Sequence, residues 1–170
     1  MLGGVTTPPP AHAIDDPLSA RGFVLVGGEK PVVVVAIDWC EIRNDAYDRW
    51  REVLAEAAGT TRERVLVTTV HQHDTPLADL EAQRILDRSK LKGGMIDLEF
   101  HERCVQRTAA ALREGLTKAR RVTHIGTGKA EVERVASNRR YPGPGGSPRF
   151  ERSSNLNMPT PRNAAWLQWG

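Results

Sequence analysis

The residues best suited to chemistry are His71 and His73, one residue apart in Val70-His71-Gln72-His73-Asp74. They follow the β-branched run Val65-Leu66-Val67-Thr68-Thr69-Val70, which reads as a strand. Side chains at i and i+2 of a strand leave on one face. Both imidazoles are therefore predicted on one side of the strand's carboxyl end. Neutral imidazoles bind divalent metals, and a metal makes water acidic enough to attack a carbonyl. The competing reading is two polar residues hydrogen-bonded to neighbouring loops. Position adds weight to the metal reading and leaves both open, because ligand sites of open α/β sheets lie beyond the carboxyl ends of their strands.

Other candidates carry paired readings. Asp38 ends a neighbouring apolar strand; it is either an acceptor behind a ligand histidine or a structural or helix-capping carboxylate. Asp79 is expected on a short, water-facing helix. Asn138-Arg139-Arg140 follows an expected strand. A guanidinium there either holds a carboxylate or oxyanion near the metal, or is solvated in a loop. His101 lies on the apolar stripe of its helix and reads as a satisfied core histidine. His12 and His124 have no partner pattern. Cys40 and Cys104 lack CxxC spacing and read as buried thiols rather than a disulfide. Trp166 and Trp169 read as apolar exposure rather than a binding box.

These side chains need elements to hold them. Phe23–Val26 is predicted as a strand, Gly27–Lys30 as a turn and Pro31–Asp38 as a second strand closing a hairpin. The run Val32-Val33-Val34-Val35-Ala36-Ile37 is apolar on both faces, as in a central strand covered on both sides. A helix is expected over Ile42–Ala58, with Ala46, Trp50, Val53, Leu54 and Ala57 on its buried face and Gly59 as its stop. A short helix is predicted over Leu77–Arg88, then a turn at Gly93-Gly94. The longest helix is predicted over Leu98–Ala119, capped by Asp97, with Leu98, His101, Val105, Ala109, Leu112 and Leu116 as its stripe. Residues Arg121–Glu133 read as one or two strands.

From Ser137 onward the periodicity disappears. Tyr141-Pro142-Gly143-Pro144-Gly145-Gly146-Ser147-Pro148 reads as no regular element. The expected fold class is α/β: a mixed sheet with partly parallel strands flanked by helices, an incomplete domain with an irregular C-terminal tail. The expected division is an α/β portion over 1–136 and a Pro/Gly-rich tail over 137–170.

Bulk composition narrows the function classes. At 170 residues the chain has room for one sizeable core, and 39% hydrophobic with 26% charged residues fits a soluble globular protein. A formal net charge of +3, with arginines scattered among acids, does not point to nucleic acid. No run approaches the roughly 18 apolar residues of a membrane span. Met1–Pro10 has neither the basic nor the long apolar region of a signal peptide.

Two histidine-rich families fit poorly. The metallo-β-lactamase pattern HxHxDH fails because Asp74, Thr75 and Pro76 follow His73. Amidohydrolase barrels need a longer series of βα repeats. A third family fits better. Asp16-Pro17-Leu18-Ser19-Ala20-Arg21-Gly22-Phe23-Val24-Leu25 resembles the DPLxARALVL opening of the neutral/alkaline, non-lysosomal ceramidases and their bacterial relatives. Val33–Asp38 resembles their buried strand ending in Asp. Arg64–Pro76 is similar to their RVLLSATHTHSGP segment, and Val135–Arg140 to their NR stretch. The likenesses run in order over roughly residues 15–140.

The resemblance implies a zinc-dependent amidase that converts an N-acyl sphingoid base, or a related lipid amide, into a fatty acid and an amine. His71 would be a zinc ligand, His73 would lie beside the metal and assist the transition state, and Arg139 would line the site. Gln72, Asp74 and Thr75 depart from the family's Thr, Ser and Gly, and Asp74 brings a charge. The family's further ligands, a second His, a Glu and a Tyr, have no counterpart here. The resemblance therefore implies the N-terminal portion of the catalytic domain, truncated. Relatives are secreted or periplasmic. The alternative is a catalytically inactive fragment or interaction module of the same fold.

Overall fold

The computed structural model describes residues 12–90, 94–130, 140–142 and 144–150. The chain divides into two compact units after Arg120. In the first unit, β1 (Ala20–Leu25) pairs antiparallel with β2 (Val32–Ile37) as the expected hairpin. Residues Val65–Thr69 form a further strand, parallel to β2, with Ile37 opposite Thr69. The result is a mixed three-stranded sheet with β2 in the middle. An α/β fold with partly parallel strands is what the sequence predicts.

Between β2 and its parallel partner lie a short strand, a helix and a single 3-10 turn over Arg62–Arg64. β3 (Glu41–Ile42) leads into α1 (Asn44–Ala58), and the strand over Val65–Thr69 is β4. Helix α1 ends because Gly59 adopts φ 65°, a left-handed conformation that costs glycine no Cβ clash. β5 (Leu77–Ala78) pairs parallel with β3 and opens into α2 (Leu80–Arg88). α3 (Leu98–Leu116) is capped by Asp97, whose side chain accepts from the Phe100 N–H. It stops three residues short of the predicted Ala119.

Helices α1 and α3 cover one face of the sheet. Val33, Val35 and Ile37 point into that core with Val65 and Val67, against Trp50, Val53, Leu54, Val105 and Ala109. The other face differs from expectation. Val32, Val34 and Ala36 are half-buried, Phe23 is 56% exposed and Leu66 is 53% exposed. Sequence predicts a strand covered on both sides; among the described residues only the helical side is covered.

An aromatic cluster within the core was not anticipated. Trp39 stacks on Phe100 with centroids 5.9 Å apart and meets Trp50 edge-on at 5.6 Å. His101 completes this aromatic cluster. It is buried as predicted, but its Nε2 finds no hydrogen-bond partner among the described residues. It packs by its ring rather than by its polar atoms. Burial accordingly holds its pKa below the usual imidazole range.

In the second unit, residues 121–130 are exposed and form no strand, against the expectation for Arg121–Glu133; the rest of that span lies outside the described residues. The stretch read as irregular contains a small hairpin. β6 (Arg140–Pro142) pairs antiparallel with β7 (Pro148–Phe150). Positive φ at Gly145 and Gly146, 74° and 81°, turns the chain, and the two prolines face each other at the loop end of the ladder. A two-strand hairpin has only edges, so prolines are tolerated there. No described helix is long and apolar enough to cross a membrane.

Candidate metal centre

The site lies where β2 and β4 end side by side. Because they are parallel, both chains leave the sheet at the same edge. Their pairing continues past the strands: Val70 N–H donates to Ile37 O at 3.3 Å and His71 N–H to Trp39 O at 3.2 Å. The Thr69 hydroxyl donates to Cys40 O at 3.2 Å, and Cys40 N–H donates to Pro76 O at 2.9 Å. Thr75 is buried and its hydroxyl donates to Gln72 O at 2.8 Å, closing the loop that carries both histidines. The loop is thus held on both sides by backbone.

The histidines meet, but not by strand alternation. β4 stops at Thr69, and His71 takes φ 59°. That left-handed turn is uncommon for a side chain with a Cβ, although histidine is enriched there. It swings the His71 ring toward the end of β2. The His71 and His73 rings end with centroids 5.4 Å apart, edge to face.

The His71 Nδ1 faces three groups of the β2 end. It is 3.2 Å from Cys40 O, 3.6 Å from the Glu41 Oε1 and 3.9 Å from the Cys40 Sγ. Cys40, Glu41 and His71 each offer a ligand atom, and these atoms lie within 4.8 Å of one another. Thiolate, imidazole and carboxylate are donors that first-row divalent ions, zinc among them, accept. The Cys40 residue is 2% exposed, while the His71 side chain is 60% exposed. One wall is therefore protein and the other is open. Burial pushes the Cys40 thiol's pKa up.

Cys40 was expected as no more than a buried thiol, and Glu41 was not singled out. The signal that could have found them is positional: they follow the apolar β2 run as His71 follows β4. Cys104 is also a free, partly buried thiol.

The remaining candidates separate. Asp38 takes its structural role: its Oδ2 accepts from the Ser19 hydroxyl at 2.6 Å and from Ser19 N–H at 2.9 Å. Those bonds hold its carboxyl below the usual range and fasten the approach to β1. Asp79 is not water-facing. It is buried, caps α2 by accepting from Ala82 N–H at 3.0 Å, and accepts from the Asn44 amide at 2.8 Å. Asp74 is exposed. Arg139 lies outside the described residues, as do Trp166 and Trp169.

Comparison with models of protein families, with curated proteins and with solved structures gave no match.

Proposed function

We propose that this chain carries zinc-dependent amide-hydrolase chemistry of the neutral-ceramidase type. The observation that supports it is the convergence of His71, His73, Cys40 and Glu41 at the carboxyl ends of two adjacent parallel strands. Zinc, if held by these residues, would supply a Lewis acid to polarise a carbonyl and make water more acidic. In this reading His71 is a ligand. His73, on the solvent side, hydrogen-bonds the carbonyl oxygen where negative charge develops. Arg139 has the same kind of role on the strength of the motif likeness alone.

The substrate class is a lipid amide, hydrolysed to a fatty acid and an amine. An apolar hollow of about 330 Å³ between the β1–β2 hairpin and α3 supports an acyl chain as part of it. That volume falls in the range of small-molecule sites, roughly 300–1,000 Å³. One end is lined by Ala20, whose register partner Ile37 leads into Cys40 and Glu41.

The test is zinc content and turnover of a fluorogenic N-acyl amide by the purified chain. We expect stoichiometric zinc, and turnover that stops on chelation and in His71→Asn. Asparagine tolerates the left-handed backbone, so that variant removes the imidazole without adding strain. His73→Gln should keep zinc and lower kcat by about 10²–10³-fold, the usual effect of removing one transition-state donor. Failure to take up zinc would dispose of this reading. A second reading is favoured by the apolar outer face of the sheet: a non-catalytic interaction module. Zinc uptake without turnover would select it.

A further inference from the structure

We infer that Cys40 Sγ, a Glu41 carboxylate oxygen and His71 Nδ1 form a self-contained three-donor site for a thiophilic divalent cation, with a fourth position open to solvent. The inference rests on the metal part of the reading above. It adds that the co-ligands come from the link after β2 and the first residue of β3, so this chain grips the ion with its own residues.

Spacing is the first argument. With metal–ligand lengths of about 2.3 Å to sulfur and about 2.0–2.1 Å to nitrogen and oxygen, two ligands of a tetrahedral ion sit about 3.5 Å apart for S···N and about 3.4 Å for N···O. The observed separations are 3.9 Å and 3.6 Å. The N···O separation is too long for a charge-assisted hydrogen bond, which runs near 2.8 Å. It is within tenths of an ångström of the spacing of two ligands on one ion.

Support behind the donors is the second argument. The Glu41 Oε2 is bonded to the Arg43 guanidinium, which leaves Oε1 directed at His71. The Thr69 hydroxyl donates to Cys40 O and steadies the cysteine backbone. Oriented first ligands with hydrogen-bonded supports are the pattern of metal sites. The exposed His71 ring provides the entry side, so buried Cys40 does not have to open. On binding, the thiol proton leaves to solvent and the thiolate takes its place on the ion.

The competing arrangement uses the same ring differently. If Nδ1–H donates to Cys40 O at 3.2 Å, Nε2 becomes the ligand and Cys40 and Glu41 do not bind. Spectroscopy separates the two. Cobalt(II) added to the full chain should bind with one equivalent and produce the intense near-ultraviolet band of thiolate-to-cobalt charge transfer. Cys40→Ser should abolish that band and weaken binding at least tenfold. Cys104→Ser should leave both intact. Glu41→Gln should keep the band and weaken binding, and because the Glu41 side chain is only partly buried and the change is isosteric this variant decides the matter if Cys40→Ser fails to fold by circular dichroism. Cobalt bound without the band, with affinity unchanged in Cys40→Ser or in Glu41→Gln, overturns this inference while leaving the hydrolase reading standing on His71. A folded chain that takes up no cobalt and no zinc overturns both.

Discussion

His101 and Glu102 are sequence neighbours on α3, and acid acts on them in separate windows. Glu102 accepts two hydrogen bonds from Arg49, at 2.6 and 3.1 Å, and its pKa is lowered to about 2. A depressed carboxylate contributes stability above its unfolded value of 4.5 and loses it as pH falls toward 2. Both partners are more than a third exposed, so solvent screening reduces the effect. Arg49→Met should move acid unfolding to higher pH, and high salt should shrink the difference; urea titrations from pH 6 to pH 2 would measure it. His101 works from the opposite charge. Its folded pKa lies below the unfolded 6.5, so the unfolded chain takes the proton first and stability falls as pH drops below 6.5. His101→Leu should remove that sensitivity. At pH 8 it should change stability by no more than about 1.5 kcal/mol, since a buried polar atom without a partner is replaced by an apolar group of similar size. A large loss at pH 8 would mean that the ring has a hydrogen-bond role absent from this account.

At the scale of elements, the starts of α1 and α2 are tied together. Asn44 takes φ 49°, and its amide donates to Asp79, which also caps α2. Asp79→Ala should cost about 1–2 kcal/mol, more than an isolated cap, because it also frees Asn44 from its acceptor. Thermal melts of Asp79→Ala and Asn44→Ala, alone and combined, would show a shared effect if this holds and additive effects if it does not. The β1–β2 hairpin depends on a close approach. A Cβ at Gly22 would lie 2.2 Å from Val34 O and 2.9 Å from Val35 Cα, both backbone. Gly22→Ala should therefore push β1 off β2 and cost about 1–3 kcal/mol. Elements were the most legible level in the sequence. The β-branched runs and the Gly59 and Asp97 boundaries were local signals, and they agree with the packing. The hairpin over 140–150 was missed because its strands are three residues each, too short for any periodicity, among glycines and prolines that read as loop.

At the scale of the whole molecule, the outer sheet face is the side that α1 and α3 leave uncovered among the described residues. Phe23, Leu25 and Leu66 are about half exposed on it. Exposed apolar residues sharing one sheet face support the interaction-module reading proposed above. Phe23→Lys together with Leu66→Lys should reduce self-association in sedimentation velocity while changing stability little, since exposed positions usually tolerate substitution within about 0.5 kcal/mol. A matching loss of thermal stability would show that the face is packed in the folded chain.

The sequence by itself determined the succession β1, β2, α1, β4, α2 and α3, the buried stripes of α1 and α3, and the place of His71 and His73 beyond a strand, because each follows from residues close together along the chain. Only the tertiary structure decided what stands beside them. Whether Asp38 or Cys40 and Glu41 face His71 depends on the parallel register of β2 with β4 and on a left-handed turn at His71. Both are set by contacts between segments some thirty residues apart, which leave no local mark in the sequence.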